Sequence, residues 1–105
     1  MLYLMKTECK GAFPLPPDQW MEVVVKQLET LTSYKQQGKI LAGGPLANGR
    51  AGYFIFDVDS NEELLNLGTQ LPMFPFCDVE ITALATLEHA LESVKQSLVS
   101  LRASK

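Results

Sequence analysis

Lys6 and Glu8 in MLYLMKTEC, and Asp78, Glu80 and Thr82 in FCDVEITALA, alternate out of two strand-like segments. Alternation puts each set on one face of its strand. If the two strands are antiparallel neighbours, the five side chains gather in one patch. A carboxylate held beside a lysine there forms an acid/base pair with shifted proton affinities. The plainer reading is an ion-paired sheet face at a seam between subunits, and it is the default.

Other reactive side chains are few. Cys9 ends the first strand and Cys77 begins the last. Those ends lie close in an antiparallel pair, so a redox role is one reading. Two separate buried thiols acting as small hydrophobes is the ordinary outcome, with no disulfide framework. Two cysteines and the single histidine, His89, are too few ligands for a zinc site, so no metal is expected. His89 reads as a surface residue near the start of a helix, with acid/base work the rarer reading. GGPLANG, residues 43–49, lacks the Lys-Ser/Thr of a phosphate loop and reads as a hairpin.

The bulk composition narrows the function classes. Nine basic against twelve acidic residues in 105 give a formal charge of −3. Such a chain has no basic field for nucleic acid and no Lys/Arg run for a membrane surface. No apolar stretch approaches the roughly 18 residues of a membrane span, and the opening MLYLMK lacks the basic start of a secretion signal. A cytoplasmic protein of one domain is expected, with 47% hydrophobic residues supplying a single core.

The elements that must position these residues follow from periodicity and punctuation. Residues 1–9 form a strand, and GAFPLPP breaks it. Pro17 or Asp18 opens a helix running to about Gln37, with Trp20, Val24, Leu28, Leu31 and Tyr34 as its apolar stripe and Gly38 as its stop. Ile40–Leu46 is a weak strand, and Asn48-Gly49 turns it into the strand Ala51–Val58. Ser60, with Glu63 three residues on, caps a second helix that Pro72 ends. Phe76–Ala85 is the last strand. Thr86 caps a third helix carrying Leu87, Leu91, Val94, Leu98 and Leu101, which either wraps a partner or packs on its own subunit.

The order β-α-β-β-α-β is the ferredoxin-like α+β plan, with the sheet in order 4-1-3-2 and both helices on one face. The bare face calls for a second copy, hence a dimeric α/β barrel. One domain is expected over residues 1–105, with residues 1–85 as the core and 86–105 as the C-terminal helix.

Two blocks carry a family resemblance. LPMFPFCDVE, residues 71–80, follows a Leu-Pro-apolar-Phe-Pro-aromatic pattern leading into a strand with alternating acids, and FDVDSNEEL spans Phe56 to Leu64. With the opening MLYLMK, these make the chain resemble the muconolactone Δ-isomerase family, including chloromuconolactone dehalogenases, over most of residues 1–85. The resemblance implies a cofactor-free protein that forms homodimers or higher homo-oligomers and takes a small-molecule ligand. A glutamate of the family's first helix, facing the pocket, is matched here by Gln27, an amide that cannot take a proton. A tyrosine at the start of the family's third strand is matched by Arg50, and a small polar residue further along by Phe54.

The pocket implied lies between the first helix and the sheet, with Met5, Val24 and Phe54 as lining and Phe74 and Phe76 at the rim. Arg50 would hold a carboxylate or enolate and Gln27 would orient a carbonyl. The base stays unassigned among Glu8, Glu80 and a partner residue, because Glu22 and Glu29 turn away from Gln27. Three functions fit: an isomerase- or lyase-like enzyme on a small cyclic carbonyl, lactone or phenol; a binding or accessory protein without catalysis; and a cofactor-free oxygenase.

Overall fold

A computed structural model describes residues 1–104 of the chain. The elements are β1 (Leu2–Glu8), α1 (Pro17–Gln36), β2 (Ile40–Pro45), β3 (Ala51–Asp57), α2 (Asn61–Thr69), a 3-10 turn at Phe74–Phe76, β4 (Asp78–Leu84) and α3 (Leu87–Ala103). The sheet order is β2-β3-β1-β4, and the described pairings are all antiparallel. This is the expected ferredoxin-like α+β arrangement.

Alternation sorts the sheet into two faces. Tyr3 and Met5 of β1 lie opposite Phe56 and Phe54 of β3 and face the helices. They join Leu31, Tyr34, Ile40, Val58, Leu64 and Leu71 in the core. Leu2, Leu4, Lys6 and Glu8 point the other way, beside Asp57, Ile55, Tyr53 and Ala51 on one side and Leu84, Thr82, Glu80 and Asp78 on the other.

Local chemistry places the boundaries. Pro17 starts α1, where its missing N–H costs nothing, and Gly38 ends it with φ of 77°. The buried side of α1 is Trp20, Gln27, Leu31 and Tyr34. Leu28, expected in that stripe, is instead exposed. At about 100° per residue it lies roughly 80° from Trp20, whereas Gln27 lies within roughly 20°. The Ser60 hydroxyl accepts from Glu63 N at 3.1 Å and caps α2. The Glu63 carboxylate returns to the Asp59 N–H at 3.2 Å, one residue earlier than a standard capping box.

β2 pairs with β3 through a bulge between Ile40 and Ala42. Gly43 follows it with φ of 115°, and a Cβ there would lie 2.1 Å from the Tyr53 carbonyl oxygen. Only glycine fits that approach.

Cys9 and Cys77 are joined by a disulfide, with Cα atoms 4.5 Å apart. The expectation of two separate thiols is corrected here. Glu8 pairs with Asp78, so the next residues outward, Cys9 and Cys77, fall opposite one another. Their spacing is that of a non-hydrogen-bonded antiparallel pair.

Candidate active site

The connection from α2 to β4 folds back through short turns because its two prolines bar a regular helix. Leu71 N donates to Gly68 O, Phe74 N to Leu71 O and Phe76 N to Met73 O. Pro75 sits inside the 3-10 turn. This compact segment lies along the N-terminal half of α1. The Phe76 ring meets Trp20 edge-on at 5.8 Å between centroids, and Phe13 stacks on Trp20 at 6.3 Å.

Gln27 stands at the centre of that contact. It is 4% exposed, and it is the polar residue of the buried core set. Its Oε1 accepts a hydrogen bond from Met73 N at 3.1 Å. The donor is a backbone N–H, so the oxygen must face it and the amide nitrogen must face away. Among the described residues Nε2 has no protein acceptor, and no fully buried side-chain polar atom is left unpaired. Nε2 therefore keeps a little solvent access.

The floor below is the helix-side face of β1, β3 and β4. Thr7 lies opposite Gly52 and Val79, and Met5 lies opposite Phe54 and Ile81. Phe54 is buried, and its ring folds along β3 over Gly52. A Cβ on Gly52 would come within 2.9 Å of that ring and 3.4 Å of Thr7 Oγ1. The ring thus covers the sheet where the strand would otherwise be bare. Val24 is half-buried on α1, and Phe74 and Phe76 are exposed at the rim. Met5 is buried, beneath Gly68 of α2.

Arg50 is exposed at the start of β3, in line with Gly52 and Phe54 in the alternation. Its carbonyl accepts from Cys9 N at 3.4 Å, and its own N–H donates to Asn48 Oδ1. The disulfide, Arg50 and the rim therefore share one end of the sheet.

Glu8 and Glu80 occupy the other face. Lys6 Nζ lies 3.0 Å from Glu8 and 5.8 Å from the centroid of the Tyr53 ring. The hydrogen bond to Glu8, followed by its charge, raises the Lys6 ammonium above its ordinary proton affinity, and the same bond and the Lys6 charge lower the Glu8 carboxyl. Asp78, opposite Glu8, is bridged by Lys10 at 3.8 Å. The structure gathers Lys6, Glu8, Asp78 and Glu80, as their alternation implies, but it does not bring them to Gln27 within one subunit. His89 is exposed on α3, with its N–H donating to Thr86 Oγ1.

Trp20, with Phe54, Phe74 and Phe76, is a ring the sequence offers as core or cavity wall, whereas nothing in the sequence points to Met73. The Met73 contact is made by backbone and leaves no mark in residue type. Two grooves, of about 390 and 340 Å³, run along the outer face of α1 beside Met21, Val25 and Leu28.

The same architecture appears in known proteins. A crystal structure of muconolactone isomerase superposes with a TM-score of 0.74 at 28% identity, covering 82% of this chain and 90% of that one. A 5-chloro-2-hydroxyhydroquinone dehydrochlorinase from Burkholderia phenoliruptrix, solved with 2,5-dihydroxybenzoquinone, shares the fold with a TM-score of 0.66 at 17% identity, covering 85% and 98%. By sequence, the chain is 29% identical over 85 residues to a muconolactone Delta-isomerase of Cupriavidus pinatubonensis, covering 81% of this chain and 92% of the relative. It is 30% identical over 84 residues to that of Pseudomonas aeruginosa, covering 80% and 88%. The family profile for muconolactone delta-isomerase matches residues 1–90, which takes in β1, the amide on α1, the rim and β4, and the chain belongs to that family.

Proposed function

We propose that the protein is a cofactor-independent isomerase- or lyase-type member of the family, acting on a small cyclic carbonyl, lactone or phenol formed in aromatic breakdown. The observation that carries this reading is the buried Gln27 amide, fixed through Met73 with its Nε2 free to donate. A ring seated on Phe54 and Thr7, below Trp20 and Phe76, would present its carbonyl oxygen to that donor. Shifting a double bond removes a proton beside the carbonyl and returns one elsewhere on the ring. The electron pair rests on the carbonyl oxygen in between, where an N–H donor and the Arg50 guanidinium stabilise it.

Gln27 cannot take the proton. The base must come from a carboxylate brought in by ligand or partner. Glu8 and Glu80 lie on the opposite face of their own sheet, so within one subunit neither serves. A homodimer closed through Leu2, Leu4, Tyr53, Ile55 and Leu84 is part of the proposal, as is a cytoplasmic location.

A second reading is favoured by Gln27 itself. With an amide where an acid would serve, the protein binds the ligand without turning it over. Deuterium uptake into a muconolactone-type lactone in D2O separates the two, with binding followed in the same NMR samples. Exchange by the wild type supports the enzyme. Exchange that appears only in Gln27→Glu supports a binder that keeps the cavity without the base. If neither protein binds a lactone or a phenol, both readings fail.

A further inference from the structure

Every described residue of α3 is exposed, and Leu87, Leu91, Val94, Leu98 and Leu101 are among them. The five recur at alternating steps of four and three, the 3.5-residue repeat of a coiled-coil seam rather than the wider stripe of a helix on a globular core. A lone helix of 17 residues is marginal in water even when well capped. A straight seam of apolar side chains left in water marks a contact surface.

We propose that α3 pairs antiparallel with α3 of a second copy of this chain. With Leu91 and Leu98 at the a positions and Leu87, Val94 and Leu101 at d, the e positions are Glu88, Lys95 and Arg102. The g positions are Ala90 and Ser97. In a parallel pair g faces e, and these residues would set Ala90 and Ser97 against Lys95 and Arg102 with no opposite charges. In an antiparallel pair e faces e. Glu88 then meets Arg102 of the partner subunit at both ends of the seam, and Lys95 meets its own copy at the two-fold axis. Two ion pairs stand against one exposed like-charge contact, while Ala90 and Ser97 let the backbones approach on the other flank. The contact is self-complementary and closed.

The seam is short. It buries less than the roughly 1,200 Å² of a stable free-standing interface, so alone it gives a concentration-dependent association.

Sedimentation of the full chain at low salt tests the pairing. E88R and R102E should each weaken self-association by roughly tenfold, since each turns two attractive pairs repulsive, and E88R/R102E should restore it. Helix-dipole effects predict the reverse, because the double variant places the wrong charge at both ends of α3. L91D/L98D should abolish the association. An unchanged L91D/L98D overturns the proposal. So does loss with L91D/L98D that ignores both charge reversals, which would seat α3 on another surface such as the outer face of α1. A dimer closed by the sheet face responds instead to Leu4→Asp and Ile55→Asp, so the two interfaces are scored separately.

Discussion

The Gln27 side-chain oxygen, on the buried face of α1, accepts the backbone N–H of Met73 across 46 residues of chain at 3.1 Å. One amide thus ties the first helix to the rim before β4. It also orients Nε2 by exclusion, turning it away from the Met73 N–H.

Replacing Gln27 with methionine keeps the volume and removes the acceptor. The Met73 N–H is then left without its partner, at a cost of about 1–3 kcal/mol in urea unfolding. Hydrogen exchange at Met73 should speed up more than at core amides such as Phe56. Equal changes at both would mean that the bond does not hold the rim.

Phe54→Ala should cost about 3–5 kcal/mol and open space over Gly52. Benzene-sized aromatics should then shift the NMR signals of Thr7, Gly52 and Val79 more than in the wild type. Gly52→Ala forces a methyl against the Phe54 ring. Its penalty should shrink by about 0.5–3 kcal/mol in the Phe54→Ala background. Additive penalties would mean the ring does not occupy that space.

The disulfide closes a loop with a sequence separation of 68. Chain-entropy reasoning gives it at most about 4.5 kcal/mol. Reductant should lower the melting temperature of the wild type and leave Cys77→Ser unmoved. In intact-mass measurements without reductant, alkylating agent should add to neither cysteine.

Glu63 accepts from the Asp59 N–H and pairs with Lys39 at 3.2 Å. The backbone bond first, and Lys39 after it, lower its carboxyl below the ordinary value of 4.5. A carboxyl lowered on folding adds stability above its unfolded value, and that contribution is lost as pH falls through the folded value. Glu63→Gln should therefore be less stable than the wild type at pH 7, with the gap closing below about pH 4. A gap independent of pH would assign the loss to packing.

Much of the fold is legible in the residues because punctuation and period agree. Gly38, Asn48-Gly49, Ser60 and Pro72 mark ends that no competing signal blurs. The faces of β1 and β4 follow from alternation, so the grouping of Lys6, Glu8, Asp78 and Glu80 was readable. In the α1 stripe residue type and helical angle disagree at Leu28, and the angle wins, putting the polar Gln27 inside. The Phe54 rotamer over Gly52 and the Met73 N–H are three-dimensional facts with no residue-type signature. The cysteine pairing lay between these cases. The strand ends were predicted to be close, but the bond needed the register.

The bulge in β2 has a consequence for solubility. β2 is the outer strand of its sheet, and an outer strand with free amides can template the strand of another molecule. Here the extra residue at Leu41 breaks the repeat of those amides, Gly43 twists the backbone away and Pro45 supplies no N–H. A straight neighbouring chain would find its hydrogen bonds out of step after two residues. This margin of the sheet is closed to fibril growth, even though Leu41 and Leu46 beside it are exposed.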